Sequence, residues 1–331
     1  MNAFSRLMLG LAIATLCNGA ALAQAFVMKF GTASLDNPET IFMKSYKNEV
    51  ERRSGGKVKV ELYFQSQLGA LNREIEGVQL GTIEAVIAPV DYLVGIDARF
   101  GVFSTPLLFR DRAHAQATMD DPELQKALFA LAEPKGMIGV ATVTIGVANY
   151  AGRTPLLRLA DFRGKKLRIN GTALERAKMS RMGATGVPMA LSEVAPALSQ
   201  GIIDGTISTM STFVSFKMND LVNTVTVTND SMINSIVVVS RSWLTRLPPE
   251  LRTVVMTSGE VIRPEVERQI GEFTKKQSEE WVKLGGQVHM LPQEDLDAMK
   301  SLLGDVGDEV TKGQPAVREM LSTVRAAAAK Y

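Results

Sequence analysis

The sequence predicts an α/β fold in a chain that is long enough for two lobes. From residue 26 onward, short apolar stretches typical of strands alternate with amphipathic stretches typical of helices, an order that favours largely parallel sheets covered by helices. The chain has 331 residues, which is enough for two hydrophobic cores. A long amphipathic segment after residue 250 completes the pattern.

The first third of the chain supplies three strands and two helices. Residues 26–33 alternate as a strand does, and the turn before Pro38 opens a helix with one apolar side. Residues 57–64 alternate valine and leucine with charged residues, which predicts a second strand with one solvated face. A helix over residues 70–80 and a strand over residues 85–89 follow.

The middle of the chain contains a strand, a break and two short helices. Residues 166–170 form a short run typical of a strand that Gly171 ends, and Thr172 can cap the helix that follows. A second helix is expected from a Ser192 cap to Gly201, before another short apolar run.

Arg168 lies at the end of this predicted strand, beside the start of a helix. A guanidinium group can hold a carboxylate through two parallel hydrogen bonds, and the positive end of the helix dipole favours the same charge. Arg168 is therefore the candidate anion-binding residue. The alternative is a surface arginine on an edge strand.

The C-terminal third is mainly helical. A hydrophobic strand over residues 236–239 precedes two prolines, and residues 250–284 then read as one long or kinked amphipathic helix. Gly259 and Pro264 are its expected bending points. Further helices are expected over residues 291–328.

Composition and motifs argue against several functional classes. The formal charge is +2 with acids and bases interspersed, so no basic stripe indicates a nucleic-acid partner. His114 and His289 lack nearby residues at metal-ligand spacing and are expected at the surface. Nucleotide-binding loops and serine-hydrolase motifs are missing from the sequence. Asp204, before Gly205, is expected to fix a turn rather than to catalyse a reaction.

The first 23 residues predict a secretory signal peptide. Arg6 supplies the positive charge, residues 7–16 the apolar segment and residues 21–23 the small-residue site, with cleavage expected before Gln24. A buried N-terminal helix is the alternative. A lipid anchor at Cys17 is not expected because the residue before it is not small. Cys17 is the only cysteine, so the mature chain would contain no disulfide.

Residues 161–205 closely resemble the core signature of TRAP transporter substrate-binding proteins, the receptors of tripartite ATP-independent periplasmic transporters. The stretches SGGKVKVELYFQSQLGALNREIEGVQLGTIEAVIAP and FGVFSTPLLFRDRAHA resemble further landmarks of the family, and the resemblance covers residues 26–291. It implies a two-lobe periplasmic binding protein of type II-like fold, in which a long helix braces both lobes. It also implies a receptor without enzymatic activity that delivers an organic acid to small and large permease subunits in the membrane.

The two-lobe fold that the resemblance implies divides the chain as follows. The first lobe is expected to contain residues 24–146 and 233–273, and the second residues 147–232 and 274–331. The arginine that matches Arg168 pairs with the solute's carboxylate in the family. Loops at the carboxyl ends of the strands supply the other candidates. Asn170 could also cap a helix, and the aromatic residues could be packing residues instead. The candidate ligand-binding residues are Arg168, Asn170, Ser208, Phe213, Tyr92, Asn149, Tyr150 and Asn234.

No cofactor or protein-bound metal is expected. The chain lacks the second arginine that family members for sugar acids carry upstream of the first, and it has Ala33, Ala70, Pro89 and Ser208 where those receptors are often more polar. A small monocarboxylate with an apolar body is therefore the expected solute, unless Arg153, Arg158 or Lys217 enters the site.

Three alternative functions remain from the sequence. They are an ABC-type receptor, which would lack the long helix, a sensor subunit that presents bound solute to a membrane kinase, and a secreted hydrolase.

Overall fold

A computed structural model describes residues 26–331. The predicted signal peptide lies outside these residues. Within them the chain forms two mixed sheets, each covered by helices. The strands are β1 Phe26–Gly31, β2 Val58–Tyr63, β3 Ala85–Pro89, β4 Met137–Val147, β5 Asn149–Gly152, β6 Lys166–Ile169, β7 Thr185–Pro188, β8 Gly205–Ser208, β9 Thr224–Val227, β10 Met232–Ser240 and β11 Gln287–Met290.

The helices expected after Pro38, over residues 70–80, after Thr172, over residues 250–284 and over residues 291–328 are present, and residues 112–119, 122–132, 210–215 and 241–244 form further helices. The helix expected from a Ser192 cap has Ala190 as its N-cap, two residues earlier. The helices are α1 Pro38–Arg53, α2 Leu71–Leu80, α3 Arg112–Met119, α4 Pro122–Ala132, α5 Ala173–Arg181, α6 Leu191–Ser199, α7 Met210–Ser215, α8 Arg241–Leu244, α9 Pro249–Lys283, α10 Gln293–Leu303, α11 Val306–Thr311 and α12 Pro315–Ala328.

The first sheet has the strand order β2-β1-β3-β10-β4. Its first three strands are parallel, as βαβ connections through α1 and α2 require, but β10 runs antiparallel to both of its neighbours. Strand β3 is buried on both faces, since Val86 and Ala88 join one core while Ala85 and Ile87 join the other. This explains why its sequence is a continuous apolar run instead of an alternating one.

The second sheet has the strand order β11-β9-β5-β8-β6-β7. Strand β6 is parallel to β7 and β8, whereas β5 is antiparallel to β8 and β9. Each described sheet is therefore largely parallel, as predicted, and one strand in each, β10 in the first and β5 in the second, runs against the others. These two strands follow chain crossings between the sheets, which reverse the strand direction without a covering helix.

Helix α9 is continuous across both expected bending points and contacts both lobes. Its first half packs on α1 and β4, with Ile262 and Ile270 in the core of the first sheet, and its end packs on α7 and β11, with Trp281 in the core of the second. Gly259 permits this approach, because a Cβ there would lie 3.1 Å from Ala141 Cβ. The predicted bracing helix is confirmed.

Residues 274–331 were expected to belong to the second lobe, but they divide between the two sheets. Helices α10 and α11 pack on the second sheet through Met299, Leu303 and Val306. Helix α12 instead packs on the first, where Leu321 and Val324 belong to the core beside α3 and α4. Its apolar face matches that core, which sequence order alone does not show. Among the described helices, none combines the length and apolar character needed to cross a bilayer.

Candidate functional site

A cavity lies between the two sheets and takes its walls from both. Its empty space is about 820 Å³, including the part that opens to solvent. The first lobe contributes residues after β1 and β3, and the second contributes residues at the ends of β6 and β8. Polar lining residues include Ser34, Glu39, Asp91, Tyr92, Ser104, Arg168, Asn170, Glu175, Lys178, Ser208, Thr209, Thr212, Ser231 and Asn234.

Arg168 is buried, with 3% of its surface exposed, and it lines this cavity. Its strand, β6, lies between β7 and β8, so the alternative of a surface arginine on an edge strand is wrong. Nε donates to the carbonyl oxygen of Met189 at 2.9 Å, and Nη2 donates to the hydroxyl of Tyr92 at 2.6 Å. Both partners are neutral. Within residues 26–331 no carboxylate forms an ion pair with this guanidinium.

The start of helix α5 adds less to anion binding than the sequence predicts. Thr172 is its N-cap and accepts from the Glu175 N–H at 3.0 Å. In return, the Glu175 carboxylate accepts from the N–H groups of Asn170, Gly171 and Thr172. This capping box satisfies the N–H groups of residues 170–172 and of Glu175, and it places a negative charge at the helix end. Arg168 is therefore the principal anion-attracting group here.

Asn170 connects the second lobe to the first. Its Nδ2 donates to Asp91, at 3.0 Å from Oδ2 and 3.3 Å from Oδ1. Ser104 donates to the same carboxyl at 3.1 Å. Burial and the charge of Glu175 raise the pKa of Asp91 to about 7, against the opposing effects of these hydrogen bonds and of Arg168. The site thus contains a carboxyl that titrates near neutral pH.

Lys178 is a second buried cation at the cavity. Its Nζ donates to Asp230 Oδ2 at 3.0 Å and to Ser231 Oγ at 2.9 Å, and it lies 5.4 Å from the centre of the Tyr150 ring. Burial acts to raise the pKa of Asp230, but Lys178 and the hydrogen bonds from Thr228, Lys178 and Ser231 outweigh it and hold that pKa below its usual value. The lysine charge is thus compensated inside the protein.

Comparison with known proteins identifies the family. The model of the bacterial extracellular solute-binding proteins, family 7 (DctP), matches residues 30–314. The C4-dicarboxylate-binding periplasmic protein DctP of Rhodobacter capsulatus is 30% identical over 317 residues, which cover 94% of this chain and 93% of that protein. The chain belongs to this family.

Solved structures of TRAP periplasmic solute-binding proteins have the same fold as this family 7 protein. One from Desulfovibrio salexigens, with bound orotic acid, has a TM-score of 0.86 at 23% identity and covers 92% of this chain and 99% of its own. The sugar-acid-binding protein of Advenella mimigardefordensis, in complex with galactonate, has a TM-score of 0.86 at 21% identity, with coverage of 93% and 99%. The predicted two-lobe fold is confirmed.

Some of the predicted ligand-binding residues line the cavity of this family 7 protein, and others do not. Arg168, Asn170, Tyr92, Ser208 and Asn234 all line it. The Oδ1 of Asn234 accepts from Thr144 at 2.8 Å, and its Nδ2 has no hydrogen-bond partner in the described chain. These five residues are brought together from both sheets.

Three predicted residues lie elsewhere. Phe213 is fully buried in the core against Trp281, with ring centres 6.1 Å apart. Tyr150 is buried against Phe162, and its hydroxyl donates to Asp230. Asn149 is in β5 and donates to a neighbouring backbone carbonyl instead of lining the cavity. Strand-end position alone did not reveal that the side chains of Tyr150 and Phe213 belong to the hydrophobic cores.

The expectation of a weakly polar wall is wrong. Ala33 and Pro89 do line the cavity, but so do the carboxyls of Glu39, Asp91 and Glu175. Glu39 accepts hydrogen bonds from Thr32, Ser34 and Ser235, and burial raises its pKa. None of Arg153, Arg158 and Lys217 lines the cavity, and Arg158 instead pairs with Asp295.

The sequence held signals for two of the lining residues that were missed. The pair Thr172 and Glu175 has capping-box spacing, which identifies Glu175 as a residue held at the helix start. Lys178 lies four residues after the buried Leu174, so a cation occupies the apolar face of α5. Asp91 had no comparable signal, because it faces the cavity only through a short 3₁₀ turn over Val90–Gly95.

The two histidines differ in their surroundings. His114 is buried, contrary to prediction, and its Nδ1 accepts from the Arg110 N–H while Nε2 lies 2.9 Å from the Ala328 carbonyl oxygen. It fastens α12 to α3. His289 is partly exposed, with Nε2 at 2.9 Å from the Leu157 carbonyl oxygen. Residues 26–331 contain no cluster of three or more metal-ligating side chains.

Proposed function

We propose that this family 7 protein is the periplasmic receptor of a TRAP transporter, that it binds an organic acid between its lobes, and that Arg168 holds the acid's carboxylate. The relative from Rhodobacter capsulatus is named for C4-dicarboxylates, and the neighbouring structures contain orotic acid and galactonate. Organic acids are the class common to these proteins. The receptor binds and releases its solute unchanged.

One observation carries the assignment of Arg168. A guanidinium that is 3% exposed lines the cavity and hydrogen-bonds to two neutral partners. A buried charge without an opposite charge is costly, and a bound carboxylate supplies the missing partner. Removing one member of such a buried pair costs about 2–5 kcal/mol.

We further propose that the solute is a monocarboxylate. The charge of Lys178 is compensated by Asp230, so Arg168 is the cation left for the ligand in the described cavity. Glu39, Asp91 and Glu175 line the same space. A second ligand carboxylate would be desolvated among these acidic groups, with a penalty of several kcal/mol. The polar wall favours a solute with hydrogen-bonding groups over a purely apolar one.

A matched competition assay tests the preference for one carboxylate. A thermal-shift panel of organic acids first finds acids that bind, because a ligand at about one hundred times its Kd raises stability by roughly 2.7 kcal/mol. Glutarate and 5-hydroxypentanoate then compete in calorimetry, since they have the same chain length and differ by one carboxylate. We expect the monocarboxylate to bind more tightly. Tighter binding of glutarate would refute this part of the proposal.

Delivery to the membrane is tested by reconstitution. Vesicles that contain the small and large permease subunits should take up the solute only when the receptor is present. The Arg168→Ala receptor should not support uptake, whereas Arg176→Ala, which removes an exposed cation of the adjoining helix α5, should support it fully. Uptake that is independent of the receptor, or chemical conversion of the solute by the receptor alone, would contradict the transport role.

A further inference from the structure

We propose that Lys178 recognises a second, uncharged oxygen on the solute, so that the ligand is a carboxylate with a carbonyl or hydroxyl group at a fixed distance from its acid group. This inference rests on the proposed function, because it takes Arg168 as the carboxylate anchor. It adds a specificity-determining residue to the site.

Lys178 belongs to a charged network at the edge of the cavity. Lys178 and Ser231 line the cavity, whereas Asp230 does not. Lys178 therefore borders the cavity, while the carboxylate that neutralises it lies outside the cavity lining. Asp230 is held in place by Thr228, Tyr150 and Ser231 in addition to the lysine. A carboxylate with this many donors is fixed, and it fixes the position of the lysine.

The ammonium group of Lys178 has one hydrogen-bond donor more than it has acceptors in the described chain. A lysine has three N–H donors. Two are used, one on Asp230 Oδ2 at 3.0 Å and one on Ser231 Oγ at 2.9 Å. Among the described residues the third has no hydrogen-bond acceptor, while 1% of the residue's surface is exposed. A buried donor beside a ligand cavity gains from an acceptor on the ligand, because an unmet buried donor is costly.

Charge decides the kind of acceptor. Arg168 has no carboxylate partner in the described chain, whereas Lys178 has Asp230 at 3.0 Å. A ligand carboxylate at Lys178 would share one cation with Asp230 and repel it, with Glu175 also at the cavity wall. A neutral carbonyl or hydroxyl oxygen takes the free N–H without adding a charge. Arg168 therefore binds the carboxylate of the solute, and Lys178 binds a neutral oxygen of the same molecule.

Both cations belong to the second lobe. Arg168 is in β6, and Lys178 is in the second turn of the adjoining helix α5, roughly 8 Å along the axis from its first residue. The spacing between them does not change when the lobes open or close, because strand and helix share one core. The second lobe can thus select solutes in which the carboxylate and the neutral oxygen are the right distance apart, before the lobes close.

Acids that differ by one oxygen test this reading. Calorimetry with the full chain would compare pentanoate with 2-oxopentanoate, 4-oxopentanoate and 5-hydroxypentanoate. For the wild type we expect at least one oxygen-bearing acid to bind about tenfold more tightly than pentanoate. In Lys178→Met this advantage should fall to about twofold or less, while the affinity for pentanoate changes far less. The control Lys166→Met, on an exposed residue of β6, should keep the full advantage.

A second variant guards against loss of folding. Lys178→Met leaves Asp230 buried without its counter-charge, so the double variant Lys178→Met/Asp230→Asn removes both charges together. It should fold and should also lack the oxygen preference. A wild type without preference for any oxygen-bearing acid, or a preference kept in both lysine variants, would overturn the inference. Retained binding in Arg168→Ala would instead refute the carboxylate anchor, a separate outcome from the oxygen preference.

Discussion

The Nη2 of Arg168 donates to the hydroxyl of Tyr92 at 2.6 Å, and this hydrogen bond joins the two lobes. Arg168 belongs to the second sheet, and Tyr92 lies in the turn after β3 of the first. A few residues away, Asn170 and Asp91 form a parallel link across the cleft. The side chain proposed to hold the solute therefore also holds the lobes together, so binding and closure are coupled.

Tyr92→Phe tests this coupling. The change removes one hydrogen bond to a charged group and leaves the ring in place. We expect the closed state to lose about 1.5 kcal/mol and the affinity for the acid to fall about tenfold. Small-angle scattering should give a larger radius of gyration for the ligand-free variant than for the wild type.

The matched control is Tyr63→Phe. The hydroxyl of Tyr63 donates to Glu61 on the same strand and does not connect the lobes, so neither affinity nor scattering should change. Unaltered affinity and an unaltered radius of gyration in Tyr92→Phe would show that the link does not contribute to closure.

Arg168→Ala should abolish acid binding and leave the fold intact. Its guanidinium hydrogen-bonds only to Met189 and Tyr92 in the described chain, so the core loses little. The lost pair with the carboxylate is worth about 2–5 kcal/mol, or about thirty-fold to several thousand-fold in Kd. Calorimetry measures this, with circular dichroism to check folding. Near-native affinity in the variant would refute the central assignment.

The affinity for the acid should fall as pH rises above about 7. Burial and Glu175 raise the pKa of Asp91 to about 7, and Arg168 opposes them. A carboxylate bound to Arg168 offsets that cation and adds repulsion, so it raises this pKa further. Binding then takes up a proton at pH values between the pKa of Asp91 in the free protein and its higher pKa in the complex, so the affinity falls over that interval.

Asp91→Asn should flatten this profile, because an amide stays neutral at every pH. Titration calorimetry between about pH 6 and pH 9 measures the slope in both proteins. Glu39, whose pKa burial also raises, lines the same cavity and stays in the variant, so a small residual slope is expected. The exposed Asp297→Asn should behave as the wild type does. An equal slope in Asp91→Asn would assign the pH dependence to another group.

Phe213→Ala should affect stability and not binding. The ring is fully buried against Trp281, outside the cavity lining. Removing it should cost about 3–5 kcal/mol of unfolding free energy, measured by urea unfolding. The milder Phe213→Leu should cost less, and its Kd for the acid should equal that of the wild type. A large rise in Kd with unchanged stability would restore the original reading of Phe213 as a ligand contact.

Local sequence patterns predicted many of the helices and strands, because a helix or strand depends mainly on residues that are close together in the chain. Alternating residues gave β1 and β2, and two prolines marked the start of α9. The resemblance to the receptor family supplied the two-lobe arrangement and the bracing helix. The direction of β5 and β10 was missed, since strand direction depends on how the chain crosses between the sheets.

The residue pattern around Arg168 puts it at the end of a strand beside a helix start, which is enough to identify it as an anion-binding candidate. The side chains that share its cavity became known from the packing of the two sheets. It places Asp91, Glu39 and Lys178 at the wall and Phe213 in the core. Periodicity determines whether a side chain is buried, but its buried neighbours come from segments far apart in the chain. A cavity between two sheets is built from such long-range contacts.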